Sequence, residues 1–252
     1  MRRRARWDAD GGNALKVAAV IPAYNEEDRL GYVLESLSRA TQVDEIVVVN
    51  DGSTDDTYGV ASRYPGVHAI DLPENVGKGG AMYAGAIETN ADVVLFLDGD
   101  LLGITGEQID LIVKPVRENE ADMCIGVFRG GRSLTDLAQI IAPYISGQRA
   151  LRRHLFLQIP NIQVVRSGVE VAITKHFRTN GLRMDTVTLT GCTHLMKEEK
   201  MGYIRGFAAR LRMYYDIGKI TLDVHRTTTE GNVARRIEKR FRRKKAYRDS
   251  RQ

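Results

Sequence analysis

The sequence has few cysteines, a single tryptophan and no long apolar run. Cys124 and Cys192 lack the spacing of metal ligands and stand among apolar or small residues, so we expect buried thiols in a reducing compartment. No stretch approaches the roughly 20 apolar residues that span a bilayer. The arginines within residues 2–6 are not followed by the apolar segment of a signal peptide, so we expect no export. These absences predict a cytoplasmic protein.

Charge is distributed unevenly along the 252 residues. Four arginines lie in residues 1–6, and ten lysines or arginines lie in residues 231–252 together with two acids. The remaining 23 basic and 30 acidic residues give the body a net charge of −7, although the whole chain carries +5. An acidic body argues against a nucleic-acid partner, whereas a basic tail predicts contact with an anionic membrane or partner. A frayed, solvated end is the alternative for the tail, and a homodimer stays open.

Apolar strands alternate with amphipathic helices in the first half, which predicts an α/β fold with a mostly parallel sheet covered by helices. Strands are expected at residues 16–21, 44–49, 67–71, 93–97 and 123–128, and helices at 26–40, after 54, at 77–89 and at 107–119. Glu26, Glu27 and Asp28 would then lie in a first helical turn. We expect a basic N-terminal extension (1–14), one domain (15–230, with halves 15–128 and 129–230) and a basic tail (231–252).

The pattern is less regular beyond residue 130. Helices are expected at residues 135–145 and 146–156, and either a strand or a helix at 169–174. Residues 187–189 and 220–224 are expected to be extended, and residues 233–246 to form a basic helix or to be disordered.

Acidic or glycine-rich clusters follow several of the predicted strands. Ligands bind at the carboxyl ends of the strands in open parallel sheets, so these loops can meet in one crevice. The residue types suit a nucleoside diphosphate. Asp51 can accept a hydrogen bond from an N–H of the base, and Glu26 can reach a ribose. Lys78 with its neighbouring glycines can contact phosphate. Asp98 and Asp100 can hold Mg²⁺ or Mn²⁺ through oxygen ligands.

Two common phosphate-binding motifs are excluded. A Walker loop would need glycine where Leu72 stands and a serine or threonine after Lys78. A Rossmann loop would need glycines where the first strand runs into Pro22-Ala23-Tyr24-Asn25. Each remaining cluster is weak alone, because a lone Asp-x-Asp is usually a solvated turn, but four clusters in this order are hard to obtain by chance.

Four segments resemble the signatures of family 2 GT-A glycosyltransferases: Pro22-Ala23-Tyr24-Asn25-Glu26-Glu27, Asn50-Asp51-Gly52-Ser53-Thr54-Asp55, Asn75-Val76-Gly77-Lys78-Gly79 and Asp98-Gly99-Asp100. The resemblance implies a GT-A fold, a nucleotide-diphosphate-sugar donor (a UDP-sugar is favoured), and Mg²⁺ or Mn²⁺ on the two aspartates. It implies donor contacts at Pro22, Ala23, Tyr24, Glu26, Asp51, Lys78, Asp98 and Gly99.

The second half departs from the usual family pattern, since it has neither a late Glu-Asp pair nor Gln-x-x-Arg-Trp. Ser146-Gly147-Gln148-Arg149-Ala150-Leu151-Arg152-Arg153, Pro160 and Ser167-Gly168-Val169-Glu170 instead resemble glucosyl-3-phosphoglycerate synthases. This resemblance implies acceptor contacts at Ser146, Gly147, Arg149, Gly168 and Val169, and catalytic roles for Asp100 and Glu170. It also implies His194 as a third metal ligand, with His225 as the competing candidate.

Several alternatives stay open at this point. Arg149, Arg152 or Arg153 could bind an acceptor phosphate or could form an exposed basic helix face. Glu170 could act as a base, orient the acceptor or pair with an arginine for structural reasons. The acceptor could be a small phosphorylated metabolite, or a polyprenyl phosphate as in dolichol-phosphate-mannose-synthase-like enzymes, which share the first four motifs. A nucleotidyltransferase or a non-catalytic nucleotide-sugar-binding module ranks third.

Overall fold

The computed structural model describes residues 15–129 and 146–191 and the backbone of residues 193–194. The strands are β1 (Val17–Ala23), β2 (Glu45–Asn50), β3 (Val67–Asp71), β4 (Val93–Phe96), β5 (Leu101–Leu102), β6 (Met123–Arg129), β7 (Arg149–Arg152), β8 (Met184–Thr190) and β9 (Thr193–His194). The helices are α1 (Leu30–Arg39), α2 (Thr57–Arg63), α3 (Lys78–Glu88), α4 (Gly106–Arg117), α5 (Arg153–Leu157) and α6 (Val169–Thr179), with a 3₁₀ turn at Ile162–Val164.

Seven strands form one sheet in the order β3-β2-β1-β4-β7-β6-β8. β1 pairs in parallel with β2 and β4, and β2 pairs in parallel with β3. β7 is antiparallel to both β4 and β6, and β8 is parallel to β6. β5 and β9 form a separate antiparallel pair. The expectation of a mostly parallel sheet covered by helices is confirmed.

Helices cover both faces of the sheet, and each face has its own apolar core. The four apolar residues that the periodicity places on one face of α1 (Leu30, Val33, Leu34 and Leu37) are all buried with α4 against one side. α3, α5 and α6 pack on the other side. β1 lies inside the sheet, between β2 and β4, and is apolar on both faces, as expected for a strand covered by helices on both sides.

The first loop differs from the prediction. β1 continues to Ala23, because β4 ends opposite Val20 and leaves Pro22 paired with β2 alone, where a missing N–H is tolerated. α1 begins only at Leu30, so the expectation that acidic residues occupy its first turn is wrong. The amide of Glu26 donates instead to Thr57 Oγ1 at 2.8 Å, which holds this stretch against the next loop.

The second half contains the larger differences. A helix over residues 146–156 is wrong: residues 146–148 have no regular structure, β7 follows, and only Arg153–Leu157 is helical. The stretch at 169–174 is helical, within α6, and residues 187–189 are extended, within β8. The predictions for residues 135–145, 220–224 and 233–246 lie outside the described residues.

Within the described ranges, no helix combines the length and apolar character needed to cross a bilayer.

Candidate active site

The candidate site lies where the carboxyl ends of β1, β2 and β4 meet. The chain goes from β1 outward to β2 and β3, and then returns to place β4 on the other side of β1. This change of direction is the switch point at which open α/β sheets bind ligands. Gly99, just after β4, lies beside the end of β1, because a Cβ on Gly99 would be 3.4 Å from Ala23 Cβ and 3.6 Å from Pro22 O.

Hydrogen bonds join the loops that follow β1 and β2. The amide of Asn25 donates to Ser53 Oγ at 3.0 Å, and the amide of Thr54 donates to Asn25 Oδ1 at 2.9 Å. Asn25 adopts a positive φ of 56°, a conformation that asparagine tolerates better than most residues. Tyr24 stands beside this linkage with 46% of its surface exposed, and Glu26 forms an ion pair with Arg29. An exposed ring on a fixed loop is suited to contact a ligand.

Asp51 fastens the loop before α3. One carboxylate oxygen accepts from the amide of Val76 at 2.7 Å and the other accepts from the amide of Gly77 at 3.0 Å. Burial raises the pKa of Asp51, while these two amides and the charge of Arg166 oppose the rise. Asp51 therefore has a structural task, and its contact with a base stays a prediction.

The segment before α6 packs directly against the start of α3. Gly77 has a φ of 87°, and a Cβ there would lie 2.7 Å from Arg166 Cα, so the two backbones can approach only at a glycine. The amides of Lys78 and Gly79 donate to the carbonyls of Arg166 at 3.3 Å and Val165 at 3.0 Å. These two backbone amides therefore have partners within the protein, and a phosphate contact at Lys78 and its neighbouring glycines stays a prediction. The side chain of Lys78 is one part of this segment that is predicted to contact phosphate.

Lys78 joins the first half of the chain to the second through its ammonium group. Its Nζ forms ion pairs with Asp98, after β4, and with Glu170, in the first turn of α6. Burial alone would lower the pKa of Lys78, but the two carboxylates together raise it above its ordinary value. Glu170 pairs with Lys78. The structural alternative had supposed a pair with an arginine instead.

The second carboxylate oxygen of Asp98 contacts the segment before β7. Gln148 Nε2 donates to Asp98 Oδ2 at 3.0 Å. Gly147 packs directly on the same carboxylate, since a Cβ there would lie 2.2 Å from Oδ2. Sequence reasoning missed Gln148, although it stands between Gly147 and Arg149 in the segment that carried the second resemblance.

Arg149 is buried inside the protein and links the segment before β7 to the start of α6. Its exposed fraction is 0%, and its guanidinium donates to the carbonyls of Ser146 and Glu170 and to Thr174 Oγ1. Burial lowers the pKa of Arg149 to about 10, opposed by Glu170 and Asp98, so the guanidinium stays charged at neutral pH. The exposed helix face considered for this residue is wrong.

Arg152 and Arg153 do not belong to the site. β7 runs antiparallel to β4, so Arg149 lies opposite Phe96 at the carboxyl end of β4, whereas Arg152 lies opposite Val93 at the other end. Arg153 Nε donates to the carbonyl of Ala91 at 2.7 Å, also at that far end. The expectation that either residue binds an acceptor phosphate beside the two aspartates is therefore wrong.

The other residues expected at the acceptor are mostly enclosed. Ser146 has an exposed fraction of 7%, and its hydroxyl faces Gly126 O and Gln148 Oε1. The side chain of Val169 is fully buried in the core beneath α6, so it does not line a cleft. Gly168, with a φ of 73°, precedes α6 and allows the turn that brings Glu170 to Lys78.

Asp98 and Asp100 are carboxylates of the type that Mg²⁺ and Mn²⁺ prefer. Asp98 already faces the positively charged ammonium group of Lys78, so its carboxylate is ionised and able to bind a cation. The backbone of His194 pairs with Leu101, one residue after Asp100, so the expected third ligand belongs to the adjacent strand. Among the residues whose side chains are described, no group of three or more possible ligands forms, and His225 lies outside the described ranges.

Solved structures with this architecture contain a nucleotide and a metal. Glucosyl-3-phosphoglycerate synthase from Mycobacterium tuberculosis, in complex with Mn²⁺, uridine diphosphate and glucosyl-3-phosphoglycerate, matches with a TM-score of 0.60 and 26% identity over 76% of this chain and 77% of that chain. Its complex with Mn²⁺ and UDP-glucose gives a TM-score of 0.59 and 28% identity over 71% of each chain. The fold is the GT-A fold of glycosyltransferases. The pattern described as glycosyl transferase family 2 matches residues 18–177, and the chain belongs to this family of enzymes.

Two relatives show which acceptors occur in the family. A dolichyl-phosphate beta-glucosyltransferase of Trichomonas vaginalis is 31% identical in an alignment of 170 residues that covers 60% of this chain and 50% of that protein. Glucosyl-3-phosphoglycerate synthase of Mycolicibacterium paratuberculosis is 27% identical in an alignment of 182 residues that covers 57% of this chain and 55% of that protein. The chain thus spans about half the length of the curated relatives it matches.

Proposed function

We propose that this protein is a metal-dependent glycosyltransferase that moves a sugar from a nucleotide-diphosphate-sugar, with a UDP-sugar favoured, to a phosphorylated acceptor. The observation that carries the proposal is the convergence of Asp51, Lys78 and Asp98 at the switch point of the sheet, with Glu170 brought in from the second half. The UDP and UDP-glucose in the related structures support the donor. The phosphorylated compounds in the relatives' names support the acceptor class.

Asp98 and Asp100 would hold Mg²⁺ or Mn²⁺, and His194 is the proposed third ligand. A divalent cation there would supply positive charge that neutralises the diphosphate leaving group. Lys78 adds a second positive charge at the same place, since its ammonium already lies against Asp98. Tyr24, at the exposed end of β1, is proposed to contact the donor.

Glu170 has a role that depends on the acceptor. A phosphate oxygen is already anionic and needs no base, so with a polyprenyl phosphate Glu170 would serve to hold Lys78 in place. With a hydroxyl acceptor on a small phosphorylated metabolite, Glu170 would orient that hydroxyl or accept its proton. The basic tail is proposed to dock on an anionic membrane in the first case, with the protein peripheral on its inner face.

The test is a transfer assay with purified protein. UDP-sugars and GDP-sugars are offered with Mn²⁺ or Mg²⁺ and with either 3-phosphoglycerate or a short-chain polyprenyl phosphate, and glycosylated product is measured by mass spectrometry. We expect product with one acceptor class, loss of product on chelation with EDTA, and recovery when metal is restored. Asp100→Ala should also abolish transfer, because it removes one of the two proposed carboxylate ligands.

Glu120→Ala is the matched control for this substitution, since Glu120 is exposed and lies before β6, at the opposite end of the sheet. It should retain wild-type transfer. Full activity in EDTA would overturn the metal assignment. No product from any donor with either acceptor would overturn the proposed activity.

A further inference from the structure

We propose that Gln148 is a positioning residue that fixes the carboxylate of Asp98 in the orientation in which it binds the divalent cation. The inference rests on the proposed function, in which Asp98 is a metal ligand. Its direct basis is the hydrogen bond from Gln148 Nε2 to Asp98 Oδ2 at 3.0 Å, which joins residues 50 positions apart in the sequence. Gln148 reaches the proposed cation site through this carboxylate, so it acts through Asp98.

The orientation of the Gln148 amide follows from its surroundings. The side chain has an exposed fraction of 0%, and its Oε1 lies 3.1 Å from the hydroxyl of Ser146, which also faces the carbonyl of Gly126. Turning the amide over would place Oε1 against the Asp98 carboxylate and Nε2 against the hydroxyl, so that an acceptor would face an anion. The observed orientation makes Gln148 a donor to Asp98.

The carboxylate of Asp98 is held on both sides. Oδ1 faces the Lys78 ammonium, and Oδ2 accepts from Gln148. Gly147 lies so close to Oδ2 that any side chain there would collide with it, so the backbone that leads to Gln148 passes directly beside the carboxylate. A carboxylate bound at both oxygens cannot rotate freely, and its remaining lone pairs keep one direction for a cation.

Lys78 alone would not have this effect. An ammonium on a long, flexible side chain attracts the carboxylate as a point charge and accepts several geometries. A neutral amide on a fully buried side chain donates from one direction. Partners that orient a metal ligand typically contribute about 10- to 100-fold to metal affinity, and this is the effect that Gln148 is expected to have.

Gln148→Met tests the inference, because methionine keeps the length of the side chain and fills the buried space but cannot donate. Mn²⁺ binding is measured by isothermal titration calorimetry at saturating UDP, and free Mn²⁺ is counted independently by electron paramagnetic resonance. We expect the Kd for Mn²⁺ to rise about 10-fold or more. Gln158→Met is the matched control, since Gln158 is exposed at the end of α5, and it should bind Mn²⁺ as the wild type does.

The outcomes separate the two levels of the proposal. If the wild-type protein binds no Mn²⁺ with UDP, the proposed function fails and the role of Gln148 fails with it. If the wild type binds Mn²⁺ and Gln148→Met binds it equally well, only the role of Gln148 is overturned; a lower thermal midpoint of the metal-free variant would then mark Gln148 as structural. Should circular dichroism show that Gln148→Met does not fold, Gln148→Asn, whose shorter amide cannot reach Asp98, replaces it under the same criterion.

Discussion

Among the single side chains of the site, Asp51 combines two tasks. Its carboxylate anchors the amides of Val76 and Gly77, and it is the proposed contact for the nucleotide base. A base contact is made equally in the ground and transition states, so its loss weakens binding without slowing chemistry. We expect Asp51→Ala to weaken UDP binding by about 10- to 100-fold, the equivalent of one hydrogen bond to a charged group, with a smaller change in kcat.

Calorimetry with UDP measures this difference, and Asp71→Ala is the control. Asp71 ends the neighbouring strand β3 and is exposed, and its carboxylate accepts from the side chain of Asn50 at 2.7 Å. Its removal should leave UDP affinity close to that of the wild type. Unchanged affinity of Asp51→Ala for every nucleoside diphosphate tested would remove Asp51 from the donor site.

Among the secondary-structure elements, β8 begins beside an ion pair at the end of the sheet remote from the site. Asp122 accepts from the amide of Arg183 at 2.8 Å and from its guanidinium at 3.0 and 3.3 Å, just before β6 and β8 begin to pair. Hydrogen bonds from the Arg183 side chain hold the pKa of Asp122 below its usual value of 3.8. We expect Asp122→Ala to lower the free energy of unfolding by about 1 kcal/mol, because Arg183 is half-exposed.

The contribution of Asp122 to the free energy of unfolding depends on pH in one direction. Because the folded protein lowers the pKa of Asp122, the stabilisation is complete above pH 3.8 and is lost as the pH falls through the lower folded value. Urea unfolding of wild type and variant should therefore differ at neutral pH and converge in stronger acid. Glu120→Ala, two residues earlier and exposed, should match the wild type at both. A difference that persists in strong acid would show that Asp122 acts through packing rather than charge.

The order of the strands along the chain explains which parts of the candidate site could be predicted from the sequence. The motifs at Asp51, Lys78 and Asp98 follow strands that are apolar and regularly spaced, so their position at one sheet edge follows from local periodicity and the rule for parallel sheets. β7 could not be predicted in this way. The stretch from Ser146 to Arg153 was expected to be helical, yet β7 inserts between β4 and β6. The polar side chains of Gln148 and Arg149 have partners more than 20 residues away.

The same reason explains why Gln148 was missed and why Arg149 was given a different role. Gln148 and Arg149 acquire their roles only once β7 lies beside β4, because that pairing brings them under the loop that carries Asp98. A single sequence records no such long-range contact. The resemblance drew attention to this segment, but it implied an acceptor contact for Arg149 and no role for Gln148. In the structure Gln148 donates to Asp98, and Arg149 donates to the start of α6.

For the molecule as a whole, the uneven charge suggests how it finds its acceptor. The body is acidic, and ten of the basic residues lie in 231–252, outside the described part of the chain. Each basic residue near an anionic bilayer contributes about 1 kcal/mol to binding. If the tail docks on a membrane, deletion of residues 233–252 should sharply reduce co-sedimentation with anionic vesicles, and added salt should have the same effect because exposed charges are screened beyond about 8 Å.

The same deletion distinguishes the two acceptor classes. The described part of the donor site is built from loops between Pro22 and Glu170, so turnover with a soluble short-chain acceptor should be nearly unchanged if the tail serves only the membrane. If the tail instead covers the acceptor cleft, truncation should reduce turnover on soluble substrates as well. Vesicle binding and turnover are therefore measured on the full-length and the truncated protein side by side. Absence of vesicle binding by the full-length protein at low salt would reject membrane docking and favour a small phosphorylated acceptor.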